Sequence, residues 1–219
     1  SNGKSGGITL NGVNSSFTRV TFRDNTSEAS STGGGALFAY LASNTEITDS
    51  VFHDNSAKNE GGALASADGT LVITDSVFTN NSTSGENHRE SATGGAVHVT
   101  STHTGGDVLI RGTHFEGNSS GCCAGALFST GRWDSAAPSK VRVENSSFKE
   151  NHVDPHATVE CAYNPVGGAL HGEDNTEYTI TNSRFIENSA GTGGAISLYR
   201  SIMSISQSVF LGNYTYEKH

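Results

Sequence analysis

Apolar residues recur along this chain in short runs at every second position. Val108 and Ile110, Val141 and Val143, and Met203 and Ile205 are such pairs, and a spacing of two predicts strands. Around the pairs stands a block of fixed length. A Phe followed three residues later by Asn occurs as Phe22/Asn25, Phe52/Asn55, Phe78/Asn81, Phe115/Asn118, Phe148/Asn151, Phe185/Asn188 and Phe210/Asn213. Five residues before each Phe is an apolar residue: Phe17, Ile47, Ile73, Ile110, Val143, Ile180 and Ile205. Two residues before it is Ser50, Ser76, Thr113, Ser146, Ser183 or Ser208, with Val20 the departure. A second block, Gly-Gly-Ala-aliphatic, alternates with the first, from Gly34, Gly61, Gly94, Gly167 and Gly193 onward. Its weaker copy is Ala124-Gly125-Ala126-Leu127.

Two rigid blocks joined by connections of variable length are the mark of a solenoid. The five-residue step from aliphatic to Phe is odd, so a bend must intervene if both face inward. The small hydroxyl residue, preceded by Asp49, Asp75, Asn145 or Asn182, is suitable turn chemistry for it. The Gly pair allows positive φ and close backbone approach. Gly and β-branched residues pervade every segment, which excludes helices. The expected fold is all-β: a right-handed parallel β-helix, a solenoid of about seven coils with long loops. Residues 1–219 read as one domain, and as a segment of a longer protein. Asn25, Asn55, Asn81, Asn118, Asn151, Asn188 and Asn213 should stack as a structural ladder of amides. The blander alternative is that each Asn only accepts a left-handed turn.

Paired Gly-Gly-Ala-Ile/Leu and Phe-x-x-Asn motifs, repeated from Phe17 to Asn213, resemble the passenger domains of the chlamydial polymorphic outer membrane proteins. The resemblance implies an autotransporter-like passenger that acts as an adhesin at the outer membrane surface. No barrel pattern follows Asn213, so anchoring and self-export are not implied for this segment.

Composition agrees with a thin-cored solenoid: 33% of residues are hydrophobic and 27 are Gly. The net charge of −9 leaves no basic stripe for nucleic acid. No apolar run reaches the roughly 18 residues of a membrane span, so no membrane insertion by this segment is expected.

Candidate chemistry is sparse. Cys122, Cys123 and Cys161 stand in connections leading into consecutive corners, so Cys161 is a candidate disulfide partner for one of the pair, as an extracellular location would allow. Free thiols are the second reading. A zinc site is the third, because adjacent cysteines fit the usual ligand spacing poorly. His98 and His171 share a coil position but are separated by Phe128, two coils or roughly 10 Å apart, and read with the other histidines as surface residues. Asp49 and Asp75, Asp24 and Asp54, and Glu150 and Glu187 fall in equivalent slots. At roughly 5 Å such pairs suit a retaining glycosidase, a weak calcium site or plain solvated turns. No metal ligand, cofactor or catalytic residue is assigned beyond these.

The excursions 82–93, 99–107, 128–140 and 152–166 should protrude around coils three to five, with Arg132, Trp133 and Tyr163 as candidate binding residues. The functional expectation is a non-enzymatic extracellular or cell-surface β-helix, binding a host cell, matrix or glycan ligand through these loops. A structural stalk or filament segment is the first alternative, and a carbohydrate-active lyase or hydrolase the second. Coils uncapped at both ends lead to an expectation of end-to-end self-association.

Overall fold

The computed structural model describes residues 5–29, 32–41, 43–85, 92–101, 106–132, 134, 138–156 and 165–217. Among the described residues twenty-eight short strands form four parallel sheets of seven strands each, and every strand of coils two to six pairs with its equivalents one repeat before and after. The chain is a parallel β-helix of seven coils. In coil four the strands are Val97–Thr100, Asp107–Arg111, His114–Glu116 and Ser119–Ser120, one for each sheet. We call these the first, second, third and fourth sheets. The stretch bearing Ile8 and Leu10 is the first-sheet strand Ile8–Asn11 of coil one.

The register places the repeated residues in columns. Ile47, Ile73 and Ile110 pair in the second sheet, and Phe52, Phe78 and Phe115 in the third. Parallel coils repeat at roughly 4.8 Å, so the Phe rings must stack at that interval. From Phe22 to Phe210 successive ring centroids lie 4.5–4.9 Å apart. The Ala corner column and the aliphatic and Phe columns of coils two to six are buried, forming one continuous apolar core. The last coil departs from the expected core. Ile205 is 38% exposed and Phe210 46%, because their inward faces meet no further coil.

Two turns per coil have fixed geometry. Arg19, Asp49, Asp75, Gly112, Asn145, Asn182 and Gln207 all have φ between 48 and 59°, forming the bend before the hydroxyl column. A second left-handed column holds Asp24, Asp54, Asn80, Gly117, Glu150, Glu187 and Gly212, with φ between 53 and 65°. The left-handed residue is therefore the one before each Asn, and the Asn itself is free to turn inward. At the Gly-Gly corner the two glycines divide the work. The first has φ of 57–68° at Gly61, Gly94, Gly167 and Gly193. The second lies against the next coil: a Cβ on Gly95 would collide with the carbonyl oxygens of Gly125 and Ser119.

The Asn side chains form the ladder. Each Nδ2 from Asn25 to Asn188 donates to Oδ1 of the Asn one coil on, at 2.8–3.0 Å. In the interior, Nδ2 also donates to the Phe carbonyl of the preceding coil, as Asn118 does to Phe78 at 3.0 Å. Oδ1 accepts a second bond from the backbone N–H of the preceding Asn. All four hydrogen-bonding sites of each interior amide are thereby filled, which is what full burial of these side chains requires.

Candidate functional site

Connections between the second and third sheets, and between the third and fourth, are two residues long in every coil. Length varies only at the two edges of the first sheet. Coils four and five carry the long connections 101–106 and 131–138 out of it, and the long connections 84–96 and 154–169 lead into it at coils four and six. The outer face of the first sheet in coils four to six thus lies between two sets of loops.

That face is covered rather than open. Residues immediately before each corner, Glu60, Thr93, Cys123, Val166 and Thr192, form a column of parallel bridges lying over the outward positions of the first-sheet strands. Cys123 and Val166 of this column join Ala92, Cys122, Ala124 and Phe128 in a second, smaller apolar cluster. His98 stacks on Phe128 at 4.9 Å, and Phe128 meets His171 at 5.7 Å. Phe128 does separate the two histidines, but neither is a surface residue: His98 is 4% exposed and His171 3%. The physical reason is the bridge column, which turns an outward-facing strand position into a buried one. The sequence carried a signal for it, since the residue before each Gly-Gly corner is in most coils β-branched or Cys.

The buried polar groups are specifically paired. His98 Nδ1 and Nε2 each lie 2.7 Å from a hydroxyl, of Thr93 and Thr100. Burial lowers its pKa against the pull of Glu60 and Glu173, so the ring is neutral near pH 7 and its approach to Glu60 at 3.8 Å becomes an ion pair only in acid. His171 Nε2 lies 3.0 Å from Glu173 Oε1, and Nδ1 3.1 Å from the Ser197 carbonyl. The Cys123 thiol is pushed up to about 12, by burial first and then by the Glu173 charge. It stays protonated and is a poor nucleophile.

Cys123 is a free cysteine, with Cys122 Sγ 3.3 Å from its own, and Cys161 lies outside the described residues. Adjacent residues on one corner strand place their sulfurs side by side but not in bonding contact. Arg132 is on the surface, with Nε 2.5 Å and Nη2 3.1 Å from the Asp134 carboxylate. Trp133 and Tyr163 lie outside the described residues. Asp24, Asp49, Asp54, Asp75, Glu150 and Glu187 are all exposed left-handed turn residues. No helix is long and apolar enough to cross a membrane among the described residues.

Residues 19–40 match the Chlamydia polymorphic membrane protein (Chlamydia_PMP) repeat. That stretch contains Phe22-Arg23-Asp24-Asn25 and Gly34-Gly35-Ala36-Leu37, one copy of the motif pair that the coils repeat. No curated protein and no solved structure matches the chain.

Proposed function

We propose that this β-helix is the passenger portion of a surface-exposed protein of the polymorphic membrane protein type, and that it is an adhesin. Its ligand sites are the loops bordering the first sheet at coils four to six. The observation that carries this reading is the contrast within each coil: two edges held to two-residue turns throughout, two edges released into long connections at adjacent coils. A spacer gains nothing from such loops, whereas a binding surface is commonly built from loops set on a rigid frame. The repeat match at residues 19–40 supports a cell-surface location, and the net charge of −9 disfavours nucleic acid as the ligand. The ligand class proposed is a host-cell receptor, matrix protein or surface glycan.

The test uses the full chain, fluorescently labelled, on cultured animal cells, matrix proteins and a glycan array. A companion chain has residues 132–137 and 155–164 replaced by short Gly-Ser turns. Saturable binding is expected to fall at least about tenfold in the companion, the loss of one good anchor, while its thermal midpoint stays near that of the parent. Equal binding by both chains would remove the loops from the proposal. No binding by the parent to any surface would favour the stalk.

A further inference from the structure

The buried group on the first sheet's outer face brings together three different donors. Cys123 Sγ, a ring nitrogen of His171 and a carboxylate oxygen of Glu173 all lie within 4.8 Å of one another. The cysteine and histidine are buried, and the Glu173 side chain, 21% exposed, sits at the rim. Topology explains the meeting. Cys123 belongs to the bridge column ahead of the coil-five corner. His171 and Glu173 are two apart on Leu170–Glu173, the coil-six strand beside it, and so face the same way.

The hydrogen bonds of His171 settle which nitrogen faces this group. A backbone carbonyl can only accept, so at 3.1 Å from the Ser197 oxygen Nδ1 carries the proton. Nε2 lies 3.0 Å from Glu173 Oε1, an acceptor to which a neutral ring with its proton on Nδ1 has nothing to donate. Two acceptors at that distance require a positive charge between or beside them, a second ring proton or a metal ion. An imidazole whose other N–H is held by a backbone carbonyl is the usual outer-sphere support of a metal-ligating histidine.

From this geometry we infer that Cys123, His171 and Glu173 form a site for a zinc-class divalent cation, bound through Sγ, Nε2 and one carboxylate oxygen, with water from the rim as fourth ligand. Thiolate and imidazole favour a borderline-soft ion over calcium or magnesium, which take oxygen donors. Zinc bonds of about 2.3 Å to sulfur and about 2.0 Å to nitrogen place tetrahedral donors roughly 3.3–3.5 Å apart, so from separations within 4.8 Å the Cys123 and Glu173 side chains both rotate to close on the ion. Binding replaces the thiol proton by the metal, and that proton leaves to solvent. The ion ties the connection ahead of coil five to the strand of coil six, so it clamps the base of the 154–169 loop. The site stands whether or not the loops are adhesive.

The test titrates the chelator-treated full chain with cobalt(II), then with zinc(II). One equivalent of cobalt should give a near-ultraviolet thiolate-to-metal charge-transfer band, which zinc then abolishes. The other histidines and the surface carboxylates cannot produce that band. Cys123→Ser should remove it and weaken zinc at least about 100-fold, at or beyond the top of the range for losing an outer-sphere partner. His171→Gln and Glu173→Gln should each weaken zinc about tenfold or more. Absence of the band from the parent chain, or its persistence in Cys123→Ser, overturns the site. If circular dichroism shows Cys123→Ser unfolded, Glu173→Gln decides through its partly exposed side chain: zinc affinity equal to that of the parent overturns the site as well.

Discussion

Asn118 shows how much of this fold depends on single side chains meeting every bonding requirement. Its Oδ1 accepts from the backbone and the side chain of Asn81, at 2.9 Å each, and its Nδ2 donates to Asn151 and Phe78. Truncation to Ala leaves two buried N–H donors of Asn81 without an acceptor, each costing about 1–3 kcal/mol. Asn118→Ala is therefore expected to lose at least about 2 kcal/mol in reversible denaturation. A loss below about 1 kcal/mol would mean that water or a shifted neighbour fills the gap and that the column is not a continuous ladder. A parallel hydroxyl column runs beside it. The Oγ of Ser50, Ser146, Ser183 and Ser208 accepts a backbone N–H from the coil before, at 3.1–3.2 Å, and donates to a carbonyl two residues back. The sequence marked these residues as turn formers. Their second bond was not legible, because it needs the spacing between coils and not only the local turn.

At the scale of the element, the left-handed turn before each Asn is occupied by residues of unequal fitness. Asp24, Asp54 and Asn80 tolerate it, Gly117 and Gly212 are indifferent to it, and Glu150 and Glu187 are strained. For an ordinary L-residue this region costs roughly 1–2 kcal/mol, and Asn reduces that cost through its short polar side chain. Glu187 is exposed with φ 54°, so Glu187→Asn should stabilise the chain by about 0.5–1 kcal/mol. A urea midpoint at or below that of the parent would show that the turn is not strained. The pattern of turns also explains what could be read in advance. The blocks holding the aliphatic residue, hydroxyl, Phe and Asn contain no insertion, so their columns followed directly from counting. The small outer cluster of Cys123, Phe128, Val166 and His171 escaped, because alternation along Leu127–Thr130 and Leu170–Glu173 assigns those strand positions to solvent. Only the packing of a variable connection over the sheet buries them, and strand periodicity holds no information about that. The connections bearing Trp133 and Tyr163 follow no repeat at all, which is why only their length was legible in the sequence.

For the whole molecule, the stack has a sticky face. In the last coil Ile202, Val209, Phe210, Leu211 and Tyr214 are 46–72% exposed, and the strands Ile202–Ser206 and Val209–Leu211 each have a paired side and an open side. An open strand edge beside exposed apolar side chains is a template for another chain, and a face of this kind marks an interaction surface. The isolated 219-residue chain should therefore associate through this end in a concentration-dependent way. Ile205 and Phe210 continue the inward columns of Ile180 and Phe185, their buried partners one coil earlier, and expose the ends of those columns. A Lys at each position would put charge where an incoming coil must pack, with little effect on coils one to five. Sedimentation velocity across a hundredfold range around micromolar, a span set by ordinary protein affinities, should show oligomers for the parent and monomer for Ile205→Lys/Phe210→Lys. A parent that sediments as monomer throughout would show that the terminal coil protects its own edge.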